Sequence, residues 1–229
     1  MPLRSADTGK VSRDPVHHPL FARYYARVSV AAETRMGMAG VRERLLAGLS
    51  GRVIEIGAGN GLNFSHYPGS VSEVVAIEPE RRLRQLAVEA ALRCEVPVDV
   101  APGAAEALPV KSEAFDAVVI SLVLCSVRDV PRALGEVRRV LRPGGVVRFF
   151  EHGRGGGPAM RFTQRALDRT VWPPLNGGCH LARDPVGALR DAGFELGPYR
   201  RVLMPEKGPT LPPSFCVLGT AWRPPTEER

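Results

Sequence analysis

Seven residues near position 57 combine an acid with closely spaced glycines. They read Glu55-Ile56-Gly57-Ala58-Gly59-Asn60-Gly61 and complete a short apolar segment that is typical of a strand. Glycines let the backbone turn sharply and approach a ligand closely. A dinucleotide-binding loop would follow the pattern G-x-G-x-x-G, but Leu62 stands where the last glycine belongs. Because the carboxylate of Glu55 repels a pyrophosphate and attracts an ammonium, the loop favours a nucleoside that carries a cationic amino acid.

A second acid, Glu78, ends the next predicted strand and directly precedes Pro79. A carboxylate at this place can accept hydrogen bonds from both hydroxyls of a ribose. In open α/β sheets, ligands bind beyond the carboxyl ends of the strands. We therefore expect Glu78 and the glycines to contact the same ligand.

The elements that position these residues alternate along the chain. Five short apolar segments predict strands of a parallel sheet, at residues 52–56, 71–77, 96–100, 115–124 and 146–150. Helical patterns lie among them, and segments 194–203 and 215–222 predict a terminal antiparallel pair. Alternation of this kind predicts an α/β fold with a doubly wound, mostly parallel seven-stranded sheet.

Two regions stand outside the alternation. Residues 1–49 predict a polar tail and a helical lid of two helices, with residues 50–229 forming the core. Residues 153–183 begin with several glycines and continue with an amphipathic stretch, so they predict a lid insertion over the strand ends after the fifth strand.

Composition limits the possible functions. A chain of 229 residues with 44% hydrophobic residues suits one soluble domain. The formal charge of +7 comes mainly from scattered arginines, which does not indicate nucleic-acid binding. No apolar run reaches the roughly 18–20 residues of a membrane helix, and the first residues lack the apolar segment of a secretory signal. We expect a cytoplasmic protein without stable membrane insertion.

The four cysteines are far apart in sequence and form no C-x-x-C pair, so they predict neither a zinc ribbon nor a dense disulfide framework. No metal site is expected, because no two ligand-type side chains recur at metal-binding spacing in the motifs. The cysteines are expected to be reduced thiols, most of them buried as small apolar side chains.

Five motifs occur in a fixed order over residues 50–152: the E-x-G-x-G-x-G loop, Glu78, Ala-Ala-Glu-Ala-Leu-Pro at 104–109, Phe-Asp at 115–116, and Leu-Arg-Pro-Gly-Gly at 141–145. In this order they resemble the class I S-adenosylmethionine-dependent methyltransferases. The resemblance implies a methyltransferase with S-adenosylmethionine as cofactor. It implies cofactor contacts by Glu55, Gly57, Ala58, Gly59, Asn60, Gly61, Glu78, Pro79, Ala105, Glu106 and Ser121. Ala104 stands where many relatives have Asp, which leaves the adenine contact to the backbone or to Glu106.

A narrower resemblance lies in three later segments: Ser-Leu-Val-Leu-Cys-Ser-Val at 121–127, Phe-Glu-His at 150–152 and Gly-Cys-His-Leu-Ala-Arg-Asp at 178–184. They look like the methyltransferase-like-seven group of alkyl-thiol methyltransferases and their bacterial relatives. The resemblance implies a small-molecule substrate, most plausibly a thiol, for a monomer or homodimer. O-, C- or N-methylation of a phenolic natural product, a quinone ring or a phospholipid amine stays open.

Nucleic acid is not the expected partner. The fourth strand ends in Ser-Leu-Val-Leu, whereas enzymes that methylate amino groups of nucleic acids present Asn/Asp-Pro-Pro-aromatic to a flipped base.

The acceptor side of the site offers several candidate residues. His152 follows the fifth strand, and imidazole exchanges protons near neutral pH, so it is the candidate base. The substrate pocket would be lined by Tyr24, Tyr25, Cys125, Cys179 and His180. Each residue also has a structural interpretation: the tyrosines can pack in the core, Cys179 and His180 can fix the lid, and His152 can hydrogen-bond to it.

Overall fold

Two helices precede the sheet. The computed structural model describes residues 19–225, and the predicted tail at 1–18 lies outside them, as do residues 226–229. Helix α1 spans Pro19–Arg35 and α2 spans Met38–Leu46, with Gly37 between them in the left-handed region at φ 74°. The apolar residues Met38, Val41 and Leu45 of α2 are buried, as their helical spacing predicts.

Seven strands form one sheet in the order β3-β2-β1-β4-β5-β7-β6. The strands are β1 Gly51–Ile56, β2 Val71–Ile77, β3 Val98–Ala101, β4 Phe115–Ser121, β5 Leu141–His152, β6 Glu195–Leu203 and β7 Phe215–Trp222. Strands β1 to β5 pair in parallel, and β7 is antiparallel to both neighbours. The predicted α/β fold with a mostly parallel seven-stranded sheet is confirmed.

The remaining helices are α3 Arg81–Ala91, α4 Val130–Val140, α5 Pro158–Asp168, α6 Trp172–Leu175 and α7 Pro185–Asp191. None of the helices in the described part of the chain is long and apolar enough to cross a membrane. Side chains alternate across the strands, so adjacent residues such as Phe149 and Phe150 belong to different apolar clusters on the two faces of the sheet.

The strand order reverses at β1, which pairs with β2 on one side and with β4 on the other. Such a switch point opens a crevice beyond the carboxyl ends of the strands, where doubly wound sheets bind ligands. The glycines follow β1, Glu78 follows β2, and His152 ends β5. The topology therefore brings the predicted site residues to one edge.

Strand β4 ends earlier than the apolar run 115–124 predicts. It stops at Ser121 because Leu122 adopts a left-handed φ of 58°, which turns the backbone out of the sheet. Strand β5 is longer than predicted, since the helix before it ends at Val140 and β5 begins at Leu141. The residues after β4, 122–127, form a loop that we call the β4 loop.

The insertion, residues 153–183, contains α5 and α6 and is fastened by two polar side chains, the buried Gln164 and the half-buried Asp168. Gln164 accepts a 2.8 Å hydrogen bond from the amide of Gly155 and donates one of 2.9 Å to the carbonyl of Pro212. The carboxylate of Asp168 accepts hydrogen bonds from the amides of Leu181 and Ala182, at 2.7 and 2.9 Å. These contacts hold the second half of the insertion beside the strand ends.

Candidate active site

The glycine loop, residues 57–61, needs glycine for two separate reasons. Gly57, Gly59 and Gly61 have φ values of 68°, 58° and 78°, which disfavour other residues. A Cβ atom on Gly57 would also lie 2.5 Å from Cγ2 of Val123, and one on Gly61 would lie 2.7 Å from the ring of Phe64. The glycine loop therefore lies in close contact with Val123 of the β4 loop and with Phe64, which follows the glycine loop.

Glu78 joins the end of β2 to the glycine loop. Its side chain is buried, and its two oxygens accept hydrogen bonds from the amides of Gly59 and Glu80, at 2.7 and 2.9 Å. Burial raises the pKa of Glu78 to about 7, although these two hydrogen bonds oppose the shift. A carboxylate has about four acceptor sites, so each oxygen can still accept a ligand hydroxyl.

Glu55 is held by two neighbouring side chains. Its buried carboxylate accepts 2.7 Å hydrogen bonds from Nδ2 of Asn63 and from the hydroxyl of Tyr67. Arg42 extends this network by donating to Oδ1 of Asn63 at 2.6 Å. Burial raises the pKa of Glu55 to about 7. The geometry shows a carboxylate that braces the segment after the glycine loop, and its contact with a ligand ammonium stays a prediction.

Helix α1 covers the site with one of the two predicted tyrosines. The ring of Tyr25 lies against the glycine loop, 3.3 Å from where a Cβ on Gly59 would stand. Burial raises the pKa of Tyr25, and the charges of Glu78 and Cys125 act on it from nearby. The side chain of Tyr24 is 57% exposed, so its place in the substrate pocket stays a prediction.

Phe21, which the sequence reasoning missed, stands one helical turn before Tyr25. The two rings are 5.6 Å apart, and a Cβ on Gly177 of the insertion would lie 2.6 Å from the ring of Phe21. One face of α1 therefore spans the glycine loop and the insertion.

Glu151 organises the acceptor side. It is fully buried, and its oxygens accept hydrogen bonds from the amides of Val123, Leu124 and Cys125, at 2.7, 2.9 and 3.2 Å. These are the amides that leave the sheet when β4 ends. Burial raises the pKa of Glu151 to about 7. Sequence reasoning noted Phe-Glu-His only as a motif and gave Glu151 no role, although an acid at the end of an apolar strand was a usable signal.

Buried thiols surround His152. Cys125 of the β4 loop and Cys179 of the insertion are 2% and 7% exposed, and Sγ of Cys216 lies 3.7 Å from Nδ1 of His152. The hydrogen bond with Cys125, followed by that with His152, lowers the pKa of Cys179 to about 5 against the effect of burial. Burial disfavours the charge of His152, but its contacts with Cys179 and Cys216 outweigh burial and raise its pKa.

The contacts of His152 favour its protonated form. The raised pKa of His152 and the lowered pKa of Cys179 favour an imidazolium beside a thiolate, and an imidazolium has no free lone pair with which to accept a proton. This arrangement supports a cation that stabilises a neighbouring thiolate, and the role of general base stays a prediction.

His180 attaches the insertion to the β4 loop. Its amide donates a 2.7 Å hydrogen bond to the carbonyl of Cys125, and its Nδ1 lies 3.3 Å from the same oxygen. Arg183 adds a 2.8 Å hydrogen bond to the carbonyl of Val127. The ring of His180 therefore lies against backbone of the β4 loop, which is the alternative role that the sequence allowed for it.

Comparison with known proteins agrees with this geometry. Residues 54–149 match the family model described as a methyltransferase domain. The thiol S-methyltransferase TMT1B of Homo sapiens is 36% identical over 183 residues, which cover 77% of this chain and 73% of the human protein. The chain belongs to the S-adenosylmethionine-dependent methyltransferases of the thiol S-methyltransferase family. The human thiol S-methyltransferase TMT1A is 35% identical over 65% of this methyltransferase and 62% of its own length.

Other relatives of the methyltransferase are named for different activities. The ubiquinone/menaquinone biosynthesis C-methyltransferase UbiE of Syntrophotalea carbinolica is 31% identical, covering 69% of this chain and 70% of its own. A solved S-adenosylmethionine-dependent methyltransferase of Thermotoga maritima superposes with a TM-score of 0.64 at 23% identity, covering 89% of this chain and 98% of that one. A structural match at this identity shows the fold alone.

The remaining predicted cofactor contacts of the methyltransferase fall around the crevice. Ala58 and Ala105 are buried, and Pro79 and Ser121 are half-buried at the ends of β2 and β4. Asn60 donates a 3.1 Å hydrogen bond to the hydroxyl of Ser29 on α1.

Glu106 has a partner that the sequence did not indicate. Its carboxylate accepts a 2.9 Å hydrogen bond from the amide of Arg128, just after the β4 loop. This contact fixes the start of the segment leading into α4, and the adenine contact of Glu106 stays a prediction.

The residues of the crevice fit S-adenosylmethionine. The glycines leave a cradle that a Cβ would fill, and Glu78 offers a buried carboxylate beside it for ribose hydroxyls. The acceptor side is apolar and thiol-rich instead of carboxylate-rich. Within residues 19–225, no group of three or more His, Cys, Asp or Glu side chains is arranged to hold a metal ion.

Proposed function

We propose that this methyltransferase transfers a methyl group from S-adenosylmethionine to the sulfur of a small-molecule thiol. One observation carries the choice of sulfur: on the acceptor side, contacts with Cys125 and His152 lower the pKa of the buried Cys179 thiol, so these surroundings favour a thiolate. A thiol acceptor that enters the same surroundings meets the same cation. A free thiol has a pKa of about 8.5, so a neighbouring imidazolium raises its thiolate fraction at neutral pH.

The cofactor would be held by the glycine loop, Glu78 and Tyr25. When bound, S-adenosylmethionine supplies a methyl group activated by a sulfonium. The chain contributes alignment and exclusion of water, which together account for most of the catalysis that a direct displacement needs. Glu151 fixes the backbone of the β4 loop, whose Leu122 and Val123 offer an apolar wall. Helix α1 and the insertion cover this wall from two sides.

Oxygen and carbon acceptors fit the site less well. A phenol has a pKa of about 10, so the same cation leaves a smaller fraction ionised than it does for a thiol. Methylation of a quinone ring is the second candidate. The Syntrophotalea relative is named as a ubiquinone/menaquinone biosynthesis C-methyltransferase, and its match covers 69% of this chain. The relatives named as thiol S-methyltransferases have higher identity, at 34–37%.

An acceptor panel tests the proposal. The purified chain is incubated with methyl-labelled S-adenosylmethionine and with aliphatic thiols, dithiols, phenols, quinols and ethanolamine lipids, and products are identified by mass and by the labelled atom. We expect label on sulfur. Label confined to oxygen, carbon or nitrogen would overturn the choice of acceptor while leaving the methyltransferase family intact.

A variant links this activity to His152. His152→Gln removes the cation, so thiol methylation should fall by about tenfold or more at pH 7 and recover as the acceptor ionises by itself above pH 9. His66→Gln is the matched control, because His66 lies in the short helical turn after the glycine loop and contacts none of these residues. A loss that does not depend on pH would contradict the electrostatic role.

A further inference from the structure

Two buried cysteines from distant parts of the chain lie together between the β4 loop and the insertion. Cys125 and Cys179 belong to one small apolar cluster with Leu181. The 2.7 Å hydrogen bond from the amide of His180 to the carbonyl of Cys125 places the two backbones side by side. Disulfides form between residues whose Cα atoms are about 4.4–6.8 Å apart, so such a bond requires neighbouring backbones of this kind. Both cysteines are free thiols in this structure.

The two sulfurs are chemically unequal. Hydrogen bonds with Cys125 and then with His152 lower the pKa of the Cys179 thiol against the effect of burial. The side chain of Trp172 packs against the same small cluster. Donors stabilise the thiolate, and the thiolate is the form that attacks disulfides. Cys179 is thus the attacking sulfur and Cys125 the neighbour that can resolve its products.

We propose that Cys179 and Cys125 form a redox-active dithiol that reduces small disulfides and closes into a disulfide bond within the chain. The thiolate of Cys179 attacks one sulfur of a disulfide RSSR, forming a mixed disulfide and releasing RS⁻. The Cys125 thiol then loses its proton and attacks Cys179, which expels the second RS⁻. Two electrons pass from the protein to RSSR, which is reduced to two thiols, and the protein retains the Cys125–Cys179 bond.

Two glycines precede Cys179. Gly177 and Gly178 have φ values of 60° and 86°, in the left-handed region that glycine adopts without strain. The new bond would tie the insertion covalently to the β4 loop and would remove the thiolate that faces His152. Oxidation should therefore stop methyl transfer, and the reaction goes beyond the proposed function because it needs neither cofactor nor methyl acceptor.

The test uses the complete chain and bis(2-hydroxyethyl) disulfide, without S-adenosylmethionine. Trypsin places the four cysteines on four different peptides, so mass spectrometry after alkylation identifies every link. We expect a cross-link between the peptides of Cys125 and Cys179. Cys125→Ser should stop at a mixed disulfide on Cys179. Cys179→Ser should react at a rate at least about tenfold lower than that of the unaltered chain, since its thiolate is lost.

The control variant replaces Cys94, which lies outside the pair. Cys94→Ser should react like the unaltered chain, because Cys94 lies at the end of α3 and bonds to the carbonyl of Ala90. A link that involves Cys216, or unchanged reactivity of a folded Cys179→Ser chain, would overturn the proposal. Reduction uses a phosphine, since dithiothreitol is itself a candidate acceptor. Failure of the acceptor panel would leave this result untouched, so the two proposals fail separately.

Discussion

The amide of Gly59 donates a 2.7 Å hydrogen bond to the buried carboxylate of Glu78. This contact joins the turn after β1 to the end of β2 across the switch point of the sheet. The glycine loop and the acid are therefore joined directly, and a ligand bound at one lies beside the other. Several consequences for binding follow from the charge and position of this acid.

Replacement of Glu78 by alanine removes the ribose acceptor and the support of the loop together. Charge-assisted hydrogen bonds contribute about 1.5–3 kcal/mol each, so affinity for S-adenosylmethionine should fall by about tenfold or more. Loss of both ribose hydrogen bonds should make binding undetectable. Isothermal calorimetry measures this change. Glu73→Ala is the control, because Glu73 lies near the opposite end of β2 and pairs with Arg52. Equal affinity of Glu78→Ala and the unaltered chain would refute the assignment.

Cofactor affinity should depend on pH through the same carboxyl. The pKa of Glu78 is raised to about 7 from its ordinary 4.5, so a large fraction is protonated in the free protein below neutral pH. Since ribose hydroxyls bind the ionised form, affinity should be constant above pH 8 and decrease below pH 7, approaching about tenfold per pH unit. Calorimetry from pH 5.5 to 8.5 tests this slope. Glu78→Gln should bind weakly and without the slope, and an identical slope in that variant would assign the titration elsewhere.

The two adjacent tyrosines of α1 should behave differently. Tyr25→Ala removes the ring that lies on Gly59 and should weaken cofactor binding by roughly tenfold, as loss of a buried aromatic contact does. Tyr24→Ala changes a side chain that is 57% exposed and should leave binding and turnover unaltered. Parallel measurements of cofactor affinity decide the matter. The opposite order of effects would show that α1 presents its other face to the crevice.

Glu151 is a positioning residue for the β4 loop. In Glu151→Gln, the side-chain NH2 cannot accept from a backbone amide, which leaves at least one buried amide without its partner. The free energy of unfolding should fall by about 1–3 kcal/mol. Urea unfolding measures this loss, with Glu195→Gln on β6 as an exposed control. A positioning role also predicts a lower kcat with unchanged cofactor affinity, whereas a purely structural role would affect only stability.

The stability of the Glu151→Gln variant should also respond differently to pH. Because the folded pKa of Glu151 is about 7 and its ordinary value is 4.5, the folded chain holds this proton more tightly than the unfolded chain. Its contribution to stability is therefore full below pH 4.5 and is lost as pH rises through 7. The decrease in stability between pH 4.5 and 7 should be smaller in Glu151→Gln. An equal decrease in both chains would exclude Glu151 as its source.

The sequence predicts the sheet well because the relevant signals are local. Apolar runs in β1, β2 and β4 gave strands at the right places, and the glycines and Glu78 lie at strand ends that the topology brings together. The end of β4 could not be predicted, since the apolar run continues past Ser121. The left-handed turn at Leu122 ends the strand, and the amides after it bond to Glu151, which is 27 residues from Leu124.

The face of α1 was mispredicted for a similar reason. Tyr24 and Val28 have the apolar spacing of a buried face, yet they are exposed, whereas the small residues Ala22 and Ser29 are buried. The helix packs closely on the glycine loop, where small residues fit. The charge of His152 was likewise beyond the sequence, because it depends on Cys179 and Cys216, which come from other elements.

Single-turnover methyl transfer tests most directly whether sulfur is the acceptor atom. The chain is mixed in excess over methyl-labelled S-adenosylmethionine with an aliphatic thiol or with the alcohol of the same carbon skeleton, and the reaction is quenched over time. We predict label on sulfur and a rate with the thiol about a hundredfold or more above that with the alcohol, whose hydroxyl stays un-ionised beside His152. Equal rates, or label that reaches only oxygen, carbon or nitrogen acceptors, would contradict it.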